Sequence, residues 1–202
     1  MPDYAGASIE WTGGTITLLE LTKQLLGIAD TSQDAELSMY LDMSGQACEA
    51  YCDNKLVSQD VTEQYASSQY PLALRYWITG DISAVTVDGV DQTADWKTYK
   101  TDGVTWASPS TSACNKTDYF NQLDITYAAG YDPLPSDLGY AIATVAIGYE
   151  QAGGTSVGSV KKEVINGVGS VEYVTGTDVD GNIGLLSPTT IGVLDRYRRF
   201  HV

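Results

Sequence analysis

Three of the four arginines in this 202-residue chain, and its single histidine, fall within the last eight residues, Asp195-Arg-Tyr-Arg-Arg-Phe-His-Val202. Arg196, Arg198 and Arg199 supply planar donor forks suited to bidentate, charge-assisted hydrogen bonds with carboxylates. Tyr197 and Phe200 between them are side chains of the type that anchors interfaces. The remainder is acidic: 26 Asp and Glu against 11 Lys and Arg give a formal net charge of −15. A basic, aromatic end on an acidic body is the chemistry of docking. The plainer alternative is that the arginines complement the dipole of a terminal helix and stay in solvent.

Catalysis has weaker support. A Ser-His-Asp or Cys-His arrangement needs a histidine held against a nucleophile, and His201 is the only one. No motif singles out an acid pair among the carboxylates, so no enzymatic activity is expected. Cys48 and Cys52, spaced i, i+4, could place two thiolates on one helix face, with Cys114 and His201 left to complete a zinc site. Small buried hydrophobes are the better account of them. Asp178-x-Asp180-Gly-Asn182 has alternating oxygens like the start of a calcium loop. However, Ile183 and Thr189 occupy the positions where that loop needs Gly and Glu. Gly153-Gly154-Thr-Ser-Val-Gly158 before Lys161 and Lys162 lacks the spacing of a phosphate loop. No cofactor and no metal are expected.

The elements that must position these residues follow from periodicity. Thr17-Leu-Leu-Glu20 has the form of a capping box and opens a helix to about Leu26, stopped by Gly27. Thr31-Ser-Gln-Asp34 signals a second, longer helix to about Asp53. At about 100° per residue, Leu37, Tyr40, Leu41, Ala47, Cys48 and Tyr51 share one arc of it, and Asp34, Asp42, Glu49 and Asp53 share another, roughly opposite. From Leu56 to about Tyr131 short β-branched and aromatic runs take over, with hairpin signals at Asp88-Gly89 and Asp102-Gly103. Ser136 is placed to cap a third helix to about Gln151, apolar nearly all round and so expected at the centre of the core. "SVKKEVINGVGSVEYVTG" predicts a β-hairpin turning near Asn166-Gly167. Ser187-Pro188 opens a last helix toward Arg199.

These elements make the fold class α+β, with helices, a β-rich section and an extended β-hairpin. One domain over 1–202 is expected, with helical core segments at about 15–54, 135–152 and 187–200. The β-rich section covers about 55–131, and the hairpin or extended loop about 155–185. The acid excess disfavours grasping nucleic acid, because phosphates are repelled, yet it suits a duplex that slides past without sticking. The longest apolar run, Ala141–Ile147, is too short to span a bilayer. "MPDYAGASIEWTGG" has no basic start or apolar stretch of a secretory signal, so a protein kept inside the cell or packed into an assembly made there is expected.

The order of parts carries a resemblance. "TLLELTKQLLGI", an acidic "DTSQDAELSMYLDMSGQACEAYCDNKL", a β section ending "LDITYAAGY", then "LPSDLGYAIATVAIGYEQ" and a closing "LDRYRR" together resemble the head–tail connector proteins of tailed double-stranded DNA phages, also called adaptors or head-completion proteins. The resemblance covers about 15–79, 123–152 and 187–200, and is most specific at "EAYCDNKL", "ITYAAGYDPLPSDL" and "LDRYRR". It implies that the helices form a small α-helical bundle with the β-rich section as an insertion. It implies a non-enzymatic virion protein at the head–tail junction, assembled in the host cytoplasm. It also implies a ring of this chain, commonly of twelve subunits, docked under the portal protein. That ring would extend the channel for the viral DNA and present a platform for a neck, stopper or tail protein, with no membrane involved. On that reading Arg196, Tyr197, Arg198, Arg199 and Phe200 would dock the portal, and Asp34, Asp42, Glu49 and Asp53 would be candidates for an acidic channel face, the ordinary alternative being a solvated helix side. Residues 80–122 and 155–185 depart from the compact members of the family; the hairpin is expected to contact a neighbouring subunit or a neck partner. The competing expectation is a β-rich, Tyr-rich decoration or ligand-binding module.

Overall fold

The computed structural model describes residues 2–11, 14–66, 71–101, 104–110, 122–151, 162–165, 169–172 and 186–199. The elements they form are mixed α and β, as expected, with four helices and several antiparallel sheets.

The helical core begins before residue 15. Strands β1 (Ser8–Trp11) and β2 (Gly14–Thr17) pair antiparallel. The Ser8 carbonyl accepts from Leu134 N–H at 2.8 Å, which seats the hairpin under the start of the third helix. Thr17 then closes the predicted capping box on α1 (Leu18–Leu26): Glu20 N–H donates to Thr17 Oγ1 and Thr17 N–H to Glu20 Oε2. Gly27, at φ 72°, ends it in the left-handed conformation that glycine adopts without penalty.

The start of α2 (Asp34–Cys52) departs from expectation. Thr31 does not cap it with its side chain; the first helical bond runs from Leu37 N–H to the Gln33 carbonyl, and Asp30 takes Ser32 into a local turn. Asp34 sits in the first turn, where its carboxylate meets Lys23 of α1 at 2.6 Å. A tertiary ion pair does the fastening that the sequence assigned to a local cap.

Helix α3 (Ser136–Gln151) packs against α1, α2 and α4 (Pro188–Leu194) and buries Leu138, Ala141, Ile142, Ala143, Val145 and Ala146, so it is central as predicted. Its first helical bond runs from Gly139 N–H to the Pro135 carbonyl, which puts Ser136 inside the first turn and leaves Pro135 at the cap. In α2, Gly45 lies under the Tyr4 ring, where a Cβ would come within 2.3 Å of it. The absence of a side chain there lets a wholly buried tyrosine enter the core.

The β section has a core of its own. Strands β3 (Gln59–Tyr65), β5 (Ile78–Val87), β6 (Val90–Asp91) and β9 (Leu123–Ala129) form a sheet in the order β3-β9-β5-β6. Strands β4 (Leu72–Ala73), β7 (Trp96–Thr101) and β8 (Val104–Pro109) form another, in the order β4-β8-β7. Asp88 and Gly89, at φ 50° and 81°, make the predicted tight turn between β5 and β6. Strict alternation buries Leu123, Ile125, Tyr127 and Ala129 along β9. They join Val85, Val87, Leu72, Leu74, Trp96 and Ala107 in one cluster shared by both sheets. The described residues thus form two apolar clusters, one in the helical part and one in the β section.

Strands β10 (Lys162–Ile165) and β11 (Gly169–Glu172) pair antiparallel, consistent with the predicted hairpin. The loop at 178–182, the 153–158 segment, Cys114, Phe200 and His201 lie outside the described residues.

Candidate docking surface at the C-terminal arm

Ser187 caps α4 as expected, its Oγ accepting from Thr190 N–H, with Pro188 in the first turn. The helix ends at Leu194 and does not continue toward Arg199. Arg196 and Tyr197 N–H groups reach back only three residues, to the Val193 and Leu194 carbonyls, and Arg199 N–H leaves the helix for the Cys52 carbonyl at 2.9 Å. The arginines therefore lie on a non-helical arm folded over the end of α2. They do not decorate a last helical turn.

Each described residue of the arm has an internal partner. Arg196 pairs with Asp137 at 3.1 Å, and the Tyr197 hydroxyl donates to the same carboxylate at 2.6 Å. The Tyr197 ring meets Tyr131 edge-on at 5.7 Å. Arg198 lies over the Tyr51 ring at 5.4 Å, while Tyr51 donates to Asp195 at 2.6 Å. The Arg199 guanidinium reaches the Leu74 carbonyl at 3.5 Å. Burial, then the hydrogen bond to Asp137, pushes the Tyr197 phenol above its ordinary range, and burial pushes Tyr131 up to about 12. Arg196 and Arg198 remain exposed; Tyr197 and Arg199 are half-buried. The arrangement presents two guanidinium groups outward from a braced arm.

The acidic arc of α2 is placed differently from a solvated face. All four carboxylates are half-buried. Asp34 holds Lys23, Asp42 accepts from Tyr4 N–H at 3.3 Å, and Asp53 lies 3.5 Å from Arg75. Glu49 accepts from Lys55, from Leu56 N–H and from Gln59. The arc ties α2 to the segments around it. The exposed stripe of the helix is instead Glu36, Met39, Met43, Gln46 and Ala50, with Met39 51% and Met43 39% exposed.

Cys48 and Cys52 are wholly buried, and burial pushes both thiols up to about 12, as befits core-filling side chains. One polar centre escaped the sequence reading. Glu63 accepts the Tyr65 and Tyr127 hydroxyls and Arg75 N–H. Burial, then Glu63, raises both phenols above their usual range. The available signal was Val61, Glu63 and Tyr65 alternating on one face of β3, a carboxylate in line with inward residues.

Residues 16–86 match the family model described as "Phage gp6-like head-tail connector protein", over α1, α2 and the strands through β5. Solved structures share the fold along most of the chain. A chain in the neck of the empty gene transfer agent (GTA) particle, computed with C6 symmetry, is 16% identical with a TM-score of 0.61, covering 91% of this chain and 90% of that one. One in the neck of the native particle, computed with C12 symmetry, is 15% identical with a TM-score of 0.57, covering 91% and 89%. A third, from the native GTA virion, is 15% identical with a TM-score of 0.58, covering 93% and 91%. Among curated proteins, none matches.

Proposed function

We propose that this chain is a structural neck protein of a phage-like particle, a head–tail connector that sits at the head–tail junction of the virion and catalyses no reaction. The observation that carries this reading is the match of residues 16–86 to the connector family. The likeness of nine-tenths of the chain to neck proteins of particles computed with C6 and C12 symmetry supports it. In this reading copies of the chain close into a ring, of twelve subunits, beneath the portal protein. The ring extends the DNA channel and offers its far side to a further neck, stopper or tail protein.

The arm supplies the portal contact in this proposal. Arg196 and Arg198 face outward, braced from behind by Tyr197, and Phe200 follows them in the sequence. Arg199, tied to Cys52 and Leu74, holds the arm in position. For the channel, the net charge of −15 supports a wall from which phosphates are repelled. Asp34, Asp42, Glu49 and Asp53 suit that wall less well than fully exposed acids do, because cations or N–H donors already engage them. The deciding experiment mixes the purified protein with portal rings of its own particle and images the complex by electron microscopy. The expected outcome is a second ring stacked on the portal with the arms at the junction. Portal rings that stay bare at saturating protein would overturn the proposal.

A further inference from the structure

The fourth arginine, Arg75, lies far from the other three in the sequence and next to the site of Arg199 in the fold. It follows β4, and the chain there runs past the end of α2: Arg75 reaches Asp53 at 3.5 Å, and Trp77 N–H donates to Asn54 at 3.4 Å. Arg199 arrives at the same place from the other side, with its N–H on the Cys52 carbonyl and its guanidinium on the Leu74 carbonyl. Arg198 covers Tyr51, the residue before Cys52. Next to them, Lys55 and Arg75 lie 5.6 and 5.3 Å from the centre of the Tyr76 ring. Three of the four arginines of an acidic protein, Arg75, Arg198 and Arg199, thus gather with Lys55 around the C-terminal end of one helix, where the helix dipole favours cations, while Arg196 pairs with Asp137 of α3.

We propose that this cationic pole, and not the terminal arm by itself, is the surface that docks a carboxylate-bearing protein, with Arg75 and Tyr76 of the β section as contact residues. The proposal rests on the connector reading and deepens it: the partner is the portal. The chemistry supports a protein partner over nucleic acid. Asp53, Asp137 and Asp195 are interleaved with the arginines. A phosphate backbone carries a charge about every 1.7 Å of duplex and would meet those carboxylates head-on. A protein surface with spaced carboxylates and donors between them matches a mixed pattern. Arg75 and Arg196 side chains keep 61% and 66% of their exposure despite their internal pairs, so donors remain available to a partner. Arginine and tyrosine are also the residue types that dominate docking energetics.

A neighbouring copy of the chain is less suited to this pole. Contacts between permanent subunits are more apolar than this surface, and the exposed apolar residues of α2, Met39 and Met43, stand roughly 15–20 Å away along the helix at about 1.5 Å per residue.

The test measures binding of the full chain to immobilised portal rings of its own particle, at low and at near-physiological salt, for the wild type, Arg75→Glu and Arg75→Lys. Expected is at least a tenfold loss of binding with Arg75→Glu, a smaller loss with Arg75→Lys, salt sensitivity in the wild type, and a melting temperature unchanged in Arg75→Lys and lowered by no more than about 2–4 °C in Arg75→Glu, the loss of one exposed ion pair. If the wild type binds and Arg75→Glu binds equally well, this inference fails while the connector reading stands. Wild type that binds no portal overturns both. Retention of a short DNA duplex by the wild type and its loss in Arg75→Glu would make the pole a phosphate site and overturn the proposal. A change in self-association without a change in portal binding would assign the pole to a neighbouring copy, with the same consequence.

Discussion

Tyr4 shows how a single side chain is placed by the tertiary structure. Its ring is wholly buried over Gly45, and its hydroxyl makes no well-formed hydrogen bond among the described residues, though the Glu49 carboxylate lies near enough to act on it. Burial, followed by the Glu49 charge, raises its pKa far above the phenol range. A buried hydroxyl without a partner costs about 1–3 kcal/mol in desolvation, whereas removing it leaves a ring of nearly the same shape. Tyr4→Phe is therefore expected to leave the melting temperature unchanged or to raise it, measured by thermal denaturation. A clear fall would show that the hydroxyl has a partner in solution. Nothing in "MPDYAGAS" signals any of this, since the residue that accommodates Tyr4 is a glycine inside a helix far along the chain.

At the scale of elements, two helix starts that look alike in sequence are built differently. Thr17 closes a capping box on α1, while Thr31 gives α2 only its backbone carbonyl, to Asp34 N–H. Replacing an N-cap threonine by alanine costs about 0.5–2 kcal/mol, and exposed positions away from such features change stability by about 0.5 kcal/mol or less. Denaturant titration should accordingly show Thr17→Ala destabilised by about 1 kcal/mol and Thr31→Ala nearly unchanged. Equal losses would mean that Thr31 caps α2 in solution. The strands were more legible than the second helix start. Alternation in β9 and the Asp88-Gly89 turn are local signals that tertiary packing reinforced. The stop of α4 at Leu194 was not legible, because it depends on Cys52, Tyr131 and Asp137 drawing the arm across.

Across the whole molecule, both apolar clusters hold protonated acids whose ionisation folding opposes. Burial takes Cys48, Cys52 and Tyr131 to about 12, and Tyr65, Tyr127 and Tyr197 are raised as well. In the unfolded chain these thiols and phenols release their protons near pH 8.5 and 10. Above those values the unfolded state binds fewer protons than the folded one, so stability falls as pH rises. The loss should run from about pH 9 to about pH 12, seen as a falling melting temperature, with both cores affected together. A melting temperature constant to pH 11 would show that these groups are less enclosed than the structure places them.

By itself the sequence determined the order and type of most elements, the centrality of α3, the acidic balance and the resemblance to connectors. These rest on composition and on spacings of a few residues, which helix and strand geometry convert directly into faces and caps. The tertiary structure decided which charges meet. Asp137 joins Arg196 across 59 residues, Tyr51 joins Asp195 across 144, and Arg75 meets Asp53 at the end of α2. Spacing along the chain carries no information about such pairs. They arise only when the folded chain fixes which polar groups end up beside one another.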